Sequence, residues 1–303
     1  MAERPVSPSV ATSPWVASRR RAEALRDRHA FAAEVLTLYL ALLDVWEEAW
    51  DAARTGGGPG GQGGGKDTGP GPGGQGLAGW AAERVLPRVV DTTVRYGPER
   101  LGKALAEATV TGAAGEELLA AWLTGAELAP LERYLARAAL RGPLEGVDAG
   151  AACARDPARR GGRRCPACGG PPQLSFRTDA GDQLVSGRRR LLCARCGQSW
   201  SYSGSTCASC GETAGRKRTI YSERRTGPQV GHGRHGADAD ATAMTFPHLR
   251  IEGCESCRHY LIDVDLGRDP RAVPEVDELA ALPLDLYAAE RGISKITPNL
   301  MGF

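Results

Sequence analysis

The chain has 303 residues, of which 24% are charged and 42% hydrophobic, and its net charge at pH 7 is +2. This composition fits a soluble protein of about two domains, and the small net charge does not by itself indicate a polyanionic partner. No run of ~18 apolar residues occurs, so we predict no membrane span. The run Ser18-Arg19-Arg20-Arg21 resembles a twin-arginine export signal, but charged residues follow it instead of an apolar stretch. We therefore predict a cytoplasmic protein.

Helical patterns dominate the first half of the chain. From about Ser18 to Arg54, apolar residues recur at steps of three and four, which predicts one long helix or two joined helices. The glycine-rich stretch 56–76 has almost no side chain to bury, so we predict a disordered insertion there. Helical patterns resume from Trp80 to about Leu144. We therefore predict an α-helical domain over residues 1–160, without a visible catalytic constellation.

The composition changes near Cys153, where arginine, glycine and cysteine become frequent. Short strands are predicted beside the cysteines, at residues 174–177, 190–192, 199–202, 218–221 and 260–264. A last helix is predicted from Val276 to Glu290, ending before Gly292.

Cysteine spacing carries the strongest chemical signal. The chain has nine cysteines, and eight of them form Cys-x-x-Cys pairs: Cys165/Cys168, Cys193/Cys196, Cys207/Cys210 and Cys254/Cys257. In a reducing cytoplasm such thiols serve as metal ligands or redox groups rather than as structural disulfides. A thioredoxin-like dithiol needs only one pair, whereas eight thiols supply two sets of four. Two sets of four predict two tetrahedral four-cysteine sites for Zn²⁺ or for rubredoxin-like iron.

Each pair is expected to form a tight turn that aims both sulfurs at one ion. Gly169, Gly197 and Gly211 follow three of the pairs, where such a turn often needs a positive φ. Arg258 stands at this place in the fourth pair, so we expect that turn to differ. Sequential pairing of neighbouring Cys-x-x-Cys motifs is favoured, and interleaved pairing is also sterically possible.

These features together predict an α+β fold. An N-terminal α-helical domain would be followed by two small rubredoxin-like or zinc-ribbon modules, over residues 161–200 and 201–264, and by a C-terminal helix and tail over 265–303. The cysteine-rich half has few apolar residues for a large core, so metal coordination is expected to supply folding energy.

Charge is unevenly distributed along this half. Between Arg155 and Arg225 there are fifteen basic and five acidic residues, whereas from Glu252 onward there are ten acidic and five basic ones. The cations would offset the negative charge of thiolate sites, and the remainder could bind an acidic partner or RNA. Attraction between the basic and acidic segments within the chain is a third interpretation.

The remaining candidate ligands are weaker. His232, His235 and His248 lie in a long segment that is expected to be exposed and flexible, and we do not favour them as metal ligands. His259 is expected beside the last pair or at the surface, and Cys153 as a buried or free thiol.

The order of motifs resembles the FdhE family of formate dehydrogenase accessory proteins. RCPACGGPP, LLCARCGQSWSY, CASCG and CESCRHYL are followed by the closing stretch DPRAVPEVDELAALPLDLYAAERGISKITPNL, and the resemblance is specific over residues 163–303. It implies a non-catalytic maturation factor that binds the catalytic subunit of a respiratory formate dehydrogenase, a client with a molybdenum or tungsten cofactor. It also implies rubredoxin-like iron in the four-cysteine sites and a homodimer.

Two other functions remain open from the sequence. A nucleic-acid-binding zinc ribbon would use the arginine excess together with Trp200 and Tyr202, although few stacking aromatics are present. A rubredoxin-like electron carrier would use an iron site directly. Four thiolates accept zinc and iron alike, so the identity of the metal is not predicted.

Overall fold

Helices build the N-terminal half, as predicted. The computed structural model describes residues 14–54, 74–108, 112–153, 162–178, 187–223 and 244–302. In chain order the helices of this half are α1 Val16–Arg28, α2 Ala33–Arg54, α3 Gly74–Arg84, α4 Leu86–Tyr96, α5 Glu99–Glu107, α6 Ala113–Thr124, α7 Pro130–Gly146 and the short α8 Ala149–Ala152.

The first predicted helical stretch is two joined helices. His29 adopts an extended backbone that ends α1, and α2 starts four residues later. The close contact between α2 and α7 centres on Trp46, whose indole N–H donates to the Ala138 carbonyl at 2.7 Å. A Cβ at Gly142 would lie 2.6 Å from the Trp46 carbonyl oxygen, so this glycine allows the two helices to approach.

A seven-stranded mixed sheet forms the second half. Its strands are β1 Pro172–Arg177, β2 Arg189–Cys193, β3 Ser199–Ser201, β4 Arg218–Ser222, β5 Leu249–Cys254, β6 His259–Asp265 and β7 Ser294–Lys295. The spatial order is β3-β2-β1-β6-β5-β4, with β7 beside β6. The strands of the two predicted modules meet in the parallel pair β1–β6, where Ser175 faces Asp263. Both modules therefore share one sheet, and their boundaries stay a prediction.

The C-terminal helix is divided into α9 Pro274–Ala280 and α10 Leu282–Glu290. Pro283 has no N–H to continue a single helix, and its ring crowds the preceding turn, so the chain restarts there. α10 ends before Gly292, whose φ is +63°. α9 packs against α1 and α2 on one side and against β1 and β6 on the other. The α+β class is thus as predicted, with one predicted helix split in two.

The hydrophobic core runs from the helices into the sheet. Ile251, Ile262 and Val264 are fully buried and belong to the same cluster as Leu42 and Leu135 of the helical half. The cysteine-rich half therefore shares its core with the helices: β6 packs against α9, and β5 against α10 and its neighbouring strands. The expected contribution of metal coordination to folding stays a prediction.

Two predicted segments fall largely outside the described residues. Of the glycine-rich insertion, residues 56–73 lie outside, and α3 begins at Gly74, within the predicted stretch. His232 and His235 also lie outside the described residues. Across the helices that the structure describes, none combines the length and the apolar character that crossing a bilayer requires.

Candidate metal centres

The first candidate centre joins the first two Cys-x-x-Cys pairs. Cys165 and Cys168 lie in the turn before β1, while Cys193 ends β2 and Cys196 follows in the turn before β3. The four sulfurs lie within 4.8 Å of one another, and all four residues are buried. The Cys165–Cys196 and Cys168–Cys193 sulfurs are 3.7 and 3.4 Å apart. Sulfurs bound tetrahedrally at ~2.3 Å from Zn²⁺ are about 3.8 Å apart, so the set fits a four-thiolate ion.

The second candidate centre joins the third and fourth pairs. The Cys207–Cys257 sulfurs are 3.9 Å apart and the Cys210–Cys254 sulfurs 3.8 Å apart. All four sulfurs again lie within 4.8 Å of one another, but Cys210 is exposed and Cys257 half-buried. The structure therefore assembles the eight cysteines in the sequential pairing, and the second cluster is nearer to solvent than the first.

All four Cys-x-x-Cys turns share one backbone conformation. The residue after the second cysteine has a positive φ in each case: +70° at Gly169, +70° at Gly197, +84° at Gly211 and +59° at Arg258. Its N–H donates to the carbonyl of the first cysteine at 2.8–3.2 Å in every turn. The expectation that the fourth turn differs is therefore wrong.

Arg258 holds this conformation at a cost that glycine would avoid, about 1–2 kcal/mol for a residue with a Cβ. Its guanidinium donates to the carbonyls of Arg291 and Gly292 at 2.6 and 3.1 Å. Those carbonyls directly follow Glu290, the last residue of α10. The arginine therefore ties the fourth turn to the C-terminal helix, which a glycine cannot do.

Backbone N–H groups point at the sulfurs of the first centre. The Gly170 N–H donates to the Cys168 sulfur at 3.4 Å, and the Arg195 N–H to the Cys193 sulfur at 3.3 Å. A Cβ at Gly170 would lie 2.7 Å from the Cys193 sulfur and 3.1 Å from the Cys168 sulfur. The turn thus needs a residue without a side chain at this point.

The ninth cysteine contacts the first centre. Cys153, which follows the last residue of α8, is buried, and its thiol interacts with the Cys168 thiol. This interaction is the main reason that the pKa of Cys168 lies far below its ordinary value, and it raises the pKa of Cys153. Sequence reasoning gave Cys153 no role at the centre, because a single cysteine twelve residues before the first pair has no ligand spacing.

The four thiols of the first centre do not ionise independently. Burial raises the pKa of Cys193 well above its ordinary value, and hydrogen bonds with Cys165 and Cys168 raise the pKa of Cys196. At the second centre, burial raises the pKa of Cys257 to about 12. A metal ion must therefore displace protons from these thiols, and its affinity will increase with pH.

Cations flank the first centre, as the sequence predicted. The Arg195 guanidinium donates to the Cys168 carbonyl at 2.9 Å. Arg141 of α7 pairs with Glu275 at 2.7 Å and Glu145 at 2.9 Å, and its positive charge also interacts with Cys196. These charges offset part of the negative charge of a four-thiolate site.

Three arginines of the basic segment, Arg177, Arg189 and Arg218, are paired inside the sheet. The buried carboxylate of Glu252 lies 2.6–3.4 Å from the guanidinium groups of Arg177, Arg189, Arg218 and Arg250. Asp263, which is fully buried, pairs with Arg177 at 3.0 Å and with Arg250 at 2.8 Å. The attraction between basic and acidic segments within the chain is therefore realised, and these arginines are not available to a partner.

The described histidines do not enter either cluster. His248 is buried, not exposed as expected, and its Nε2 lies 2.7 Å from an Asp277 oxygen. Arg21 of α1 contacts the same carboxylate at 2.5 Å. His248 therefore helps to join α1, β5 and α9. His259 is half-buried at the start of β6.

A helical domain joined to a mixed sheet with two four-cysteine clusters defines the class: an α+β protein with two sites that can hold metal ions. Within this class, residues 234–301 match the family described as FdhE, C-terminal domain. The predicted resemblance to the FdhE family is confirmed over this part of the chain.

Individual relatives agree with the family match. The FdhE homolog of Aquifex aeolicus is 29% identical over 139 residues, which are 46% of this chain and 41% of that protein. The FdhE homolog of Pseudomonas aeruginosa is 33% identical over 137 residues, which are 45% of this chain and 38% of that protein. The alignments thus span about two-fifths of the length of these relatives.

One solved structure extends the likeness in fold. The crystal structure of the FdhE protein from Pseudomonas aeruginosa superimposes with a TM-score of 0.61 and 22% sequence identity, over 95% of both chains. At this identity the likeness concerns the fold, which the two chains share from the helical half through the sheet.

Proposed function

We propose that this protein is a non-catalytic accessory factor in the maturation of formate dehydrogenase, that it acts in the cytoplasm, and that it binds the catalytic subunit of that enzyme during assembly. The observation that carries the proposal is the match of residues 234–301 to the FdhE C-terminal domain, combined with two four-cysteine clusters in the fold of an FdhE protein. The homodimer that the resemblance implies belongs to the same proposal.

In this proposal the eight cysteines bind two ions whose role is to order the sheet. Each set supplies four thiolates and so completes the coordination of a tetrahedral ion, which is typical of structural sites; catalytic sites keep a position open for water or substrate. Zinc and iron both suit four sulfurs. The metal fixes the turns around Cys168 and Cys210, and through them the surface that a client would contact.

Two observations weigh against the alternatives. For a nucleic-acid-binding zinc ribbon, three of the arginines that motivated it, Arg177, Arg189 and Arg218, are paired with Glu252. For an electron carrier, an iron centre near the surface would be expected, and only the second cluster, with Cys210 exposed and Cys257 half-buried, lies there. The second alternative therefore concerns that cluster.

The direct test is capture of the client. A tagged full-length chain, expressed in cells that produce a formate dehydrogenase, should copurify the catalytic subunit, and deletion of its gene should abolish formate dehydrogenase activity while the subunit is still made. Absence of the subunit from the purified complex, with normal enzyme activity in the deletion strain, would contradict the proposal.

A metal exchange separates the scaffold from the electron carrier. Protein loaded with zinc in both sites should capture the catalytic subunit as well as protein loaded with iron, since both ions impose the same tetrahedral geometry. Electron transfer would be favoured instead if capture of the subunit or restored enzyme activity required iron. The protein would then also show a visible absorbance that bleaches reversibly on reduction.

A further inference from the structure

A cleft of about 900 Å³ lies where four parts of the chain meet. One wall comes from the α6–α7 connection, including Gly125 and Leu128, and another from the first cysteine turn and the residues before it. Ala208 and Ser209, between the cysteines of the third pair, and residues 296–298 close the remaining sides. The cleft thus touches both metal modules, and its volume is near the upper end for ligand sites.

The cleft is strongly cationic. Arg133, Arg163, Arg164 and Arg195 line it in the described part of the chain, against the single carboxylate of the exposed Glu127. These arginines are distinct from the four that pair with Glu252. The local charge therefore attracts an anion, and guanidinium groups bind carboxylates through paired hydrogen bonds.

Two buried side chains of the lining have donors without an acceptor. Trp122 is 5% exposed and Arg195 7% exposed. Neither the Trp122 indole N–H nor the Arg195 Nε–H has a hydrogen-bond partner among the described residues. The Arg195 guanidinium lies 5.7 Å from the centre of the Trp122 ring, so the two donors are neighbours. Both nitrogen atoms are themselves shielded from solvent, so these side chains contribute to the wall of the cleft through the Trp122 ring and the Arg195 positive charge.

The rest of the lining matches an extended peptide. Pro171, Pro172 and Pro298 present apolar rings and have no backbone N–H to donate. Leu128 and Ile296 add further apolar surface. A single inorganic anion would contact one or two arginines and leave this surface open. A chain segment with alternating acidic and apolar side chains would contact the arginines and the apolar wall together.

Both metal centres hold the cleft in shape. Arg195 lies between the ligands Cys193 and Cys196, and its guanidinium is fixed by the Cys168 carbonyl at 2.9 Å. Arg163 donates to the carbonyl of Ser209, between Cys207 and Cys210, at 3.0 Å. The first module thus contacts the second across the cleft, so both metal centres determine its shape.

We propose that this cleft, which we name the Trp122–Arg133 cleft, binds an extended acidic segment of a polypeptide. Aspartate or glutamate carboxylates pair with the arginines of the lining, and the apolar side chains of the segment contact Trp122, Leu128 and Ile296. The inference rests on the proposed function in one respect: the segment belongs to the client of the accessory factor.

The first experiment uses the metal-loaded full chain with ¹⁵N-labelled indole groups. The probe is an octapeptide that alternates Asp or Glu with Leu, compared with the same peptide carrying Asn or Gln. We expect the acidic peptide to bind at least tenfold more tightly than the neutral one, and its affinity to fall as the salt concentration rises. Binding should also shift the indole N–H resonance of Trp122, which is identified by its loss in Trp122→Phe. Equal binding of both peptides, or no shift of that resonance, would overturn the proposal.

Variants of the cleft define the site. Arg133→Gln and Arg163→Gln together should weaken the acidic peptide at least tenfold, whereas Arg84→Gln, in an exposed helical position, should leave it unchanged. Metal content and the circular dichroism spectrum show that each variant is folded. Pyrophosphate serves as a third probe: saturation by pyrophosphate, with no competition by the acidic peptide, would make this a small-anion site and refute peptide binding.

Client capture separates this inference from the proposed function. If the wild-type chain captures the catalytic subunit and the double arginine variant captures it equally, the inference fails and the accessory function stands. If the wild-type chain captures no catalytic subunit, the proposed function fails, and the peptide titration alone decides what the cleft binds. Loss of capture in the double variant, with Arg84→Gln unchanged, supports both.

Discussion

At position 170, the sulfur atoms of the first centre leave no room for a side chain. Gly170 has an ordinary φ, so the restriction is steric rather than conformational, and its N–H also donates to the Cys168 sulfur. The glycine that follows a Cys-x-x-Cys pair is easily predicted from the turn, whereas the one after it depends on where Cys193 lies in three dimensions.

Gly170→Ala should therefore damage the first centre selectively. The added methyl group meets the Cys193 sulfur, so we expect affinity at this site to fall about tenfold or more, as for other changes around metal ligands. Cobalt titration, followed through thiolate-to-metal absorbance, should show one tight site instead of two. Gly215→Ala is the matched control, because a Cβ there meets nothing within 4 Å; equal behaviour of the two variants would contradict the geometry.

His29 makes stability sensitive to pH. Its ring packs against Phe31 and Phe246, with centres 5.5 and 5.0 Å away, and burial, reinforced by the positive charges of Arg28 and Arg21, lowers its pKa. The unfolded chain binds a proton near pH ~6.5, before the folded chain does. The neutral ring thus contributes stability above that pH, and this contribution is lost as pH falls through the lower folded pKa.

We expect His29→Phe to reduce the acid sensitivity of the fold. The melting temperature of the metal-loaded chain should fall less between pH 7.5 and 5.5 in this variant than in the wild type, because the aromatic packing remains and the proton site is removed. Differential scanning calorimetry at several pH values measures this difference. Parallel curves for the two proteins would contradict the account.

Among the elements, the strands are held by a buried charge network as well as by their ladders. Glu252 of β5 pairs with arginines from β1, β2 and β4, and with Arg250 of its own strand. Breaking a buried ion pair from one side leaves the partner charges uncompensated, at a cost of about 3–5 kcal/mol.

Glu252→Gln should accordingly destabilise the sheet by about 3–5 kcal/mol. Chemical denaturation of the metal-loaded chain, with the metal content checked before unfolding, measures this change. Glu290→Gln, at an exposed position at the end of α10, is the control and should change the free energy of unfolding by less than about 0.5 kcal/mol. If both variants unfold alike, the network is not what stabilises the sheet.

Local features of these elements were predictable and distant pairings were not. The Cys-x-x-Cys spacing determines each turn within a few residues, so the eight candidate ligands and five of the seven strands could be identified. β5, which ends at Cys254, and the short β7 were not predicted. The parallel contact of β1 with β6 joins residues 88 positions apart, such as Ser175 and Asp263. No periodicity within either strand encodes that partner, which is why the modules were expected to be separate.

Two errors at this scale have identifiable physical reasons. Pro283 leaves the apolar pattern of the C-terminal helix intact, but its missing N–H and its ring divide the helix, and periodicity registers neither effect. Arg258 occupies a conformation that favours glycine because contacts with the end of α10 hold it there, and those contacts are tertiary.

For the whole molecule, a buried cluster joins the helical half to the sheet. Arg21 of α1 reaches Asp269 at 2.9 Å and Asp277 at 2.5 Å, while His248, before β5, reaches Asp277 at 2.7 Å. Asp277 is fully buried, and within the described part of the chain its charge is compensated by these partners and by the Val273 N–H at 2.8 Å. The helices and the metal modules are thus connected through α9, so a displacement of one half will move the other.

Metal content measures the central claim, that the eight cysteines close around two ions. The full chain, purified without oxygen, should contain two ions by elemental analysis, one for each cluster. Cys193→Ser and Cys254→Ser should each retain one, whereas Cys153→Ser should retain both, since Cys153 lies outside the two sets of four. Substoichiometric metal in the wild type, or two ions retained in both ligand variants, would contradict the account.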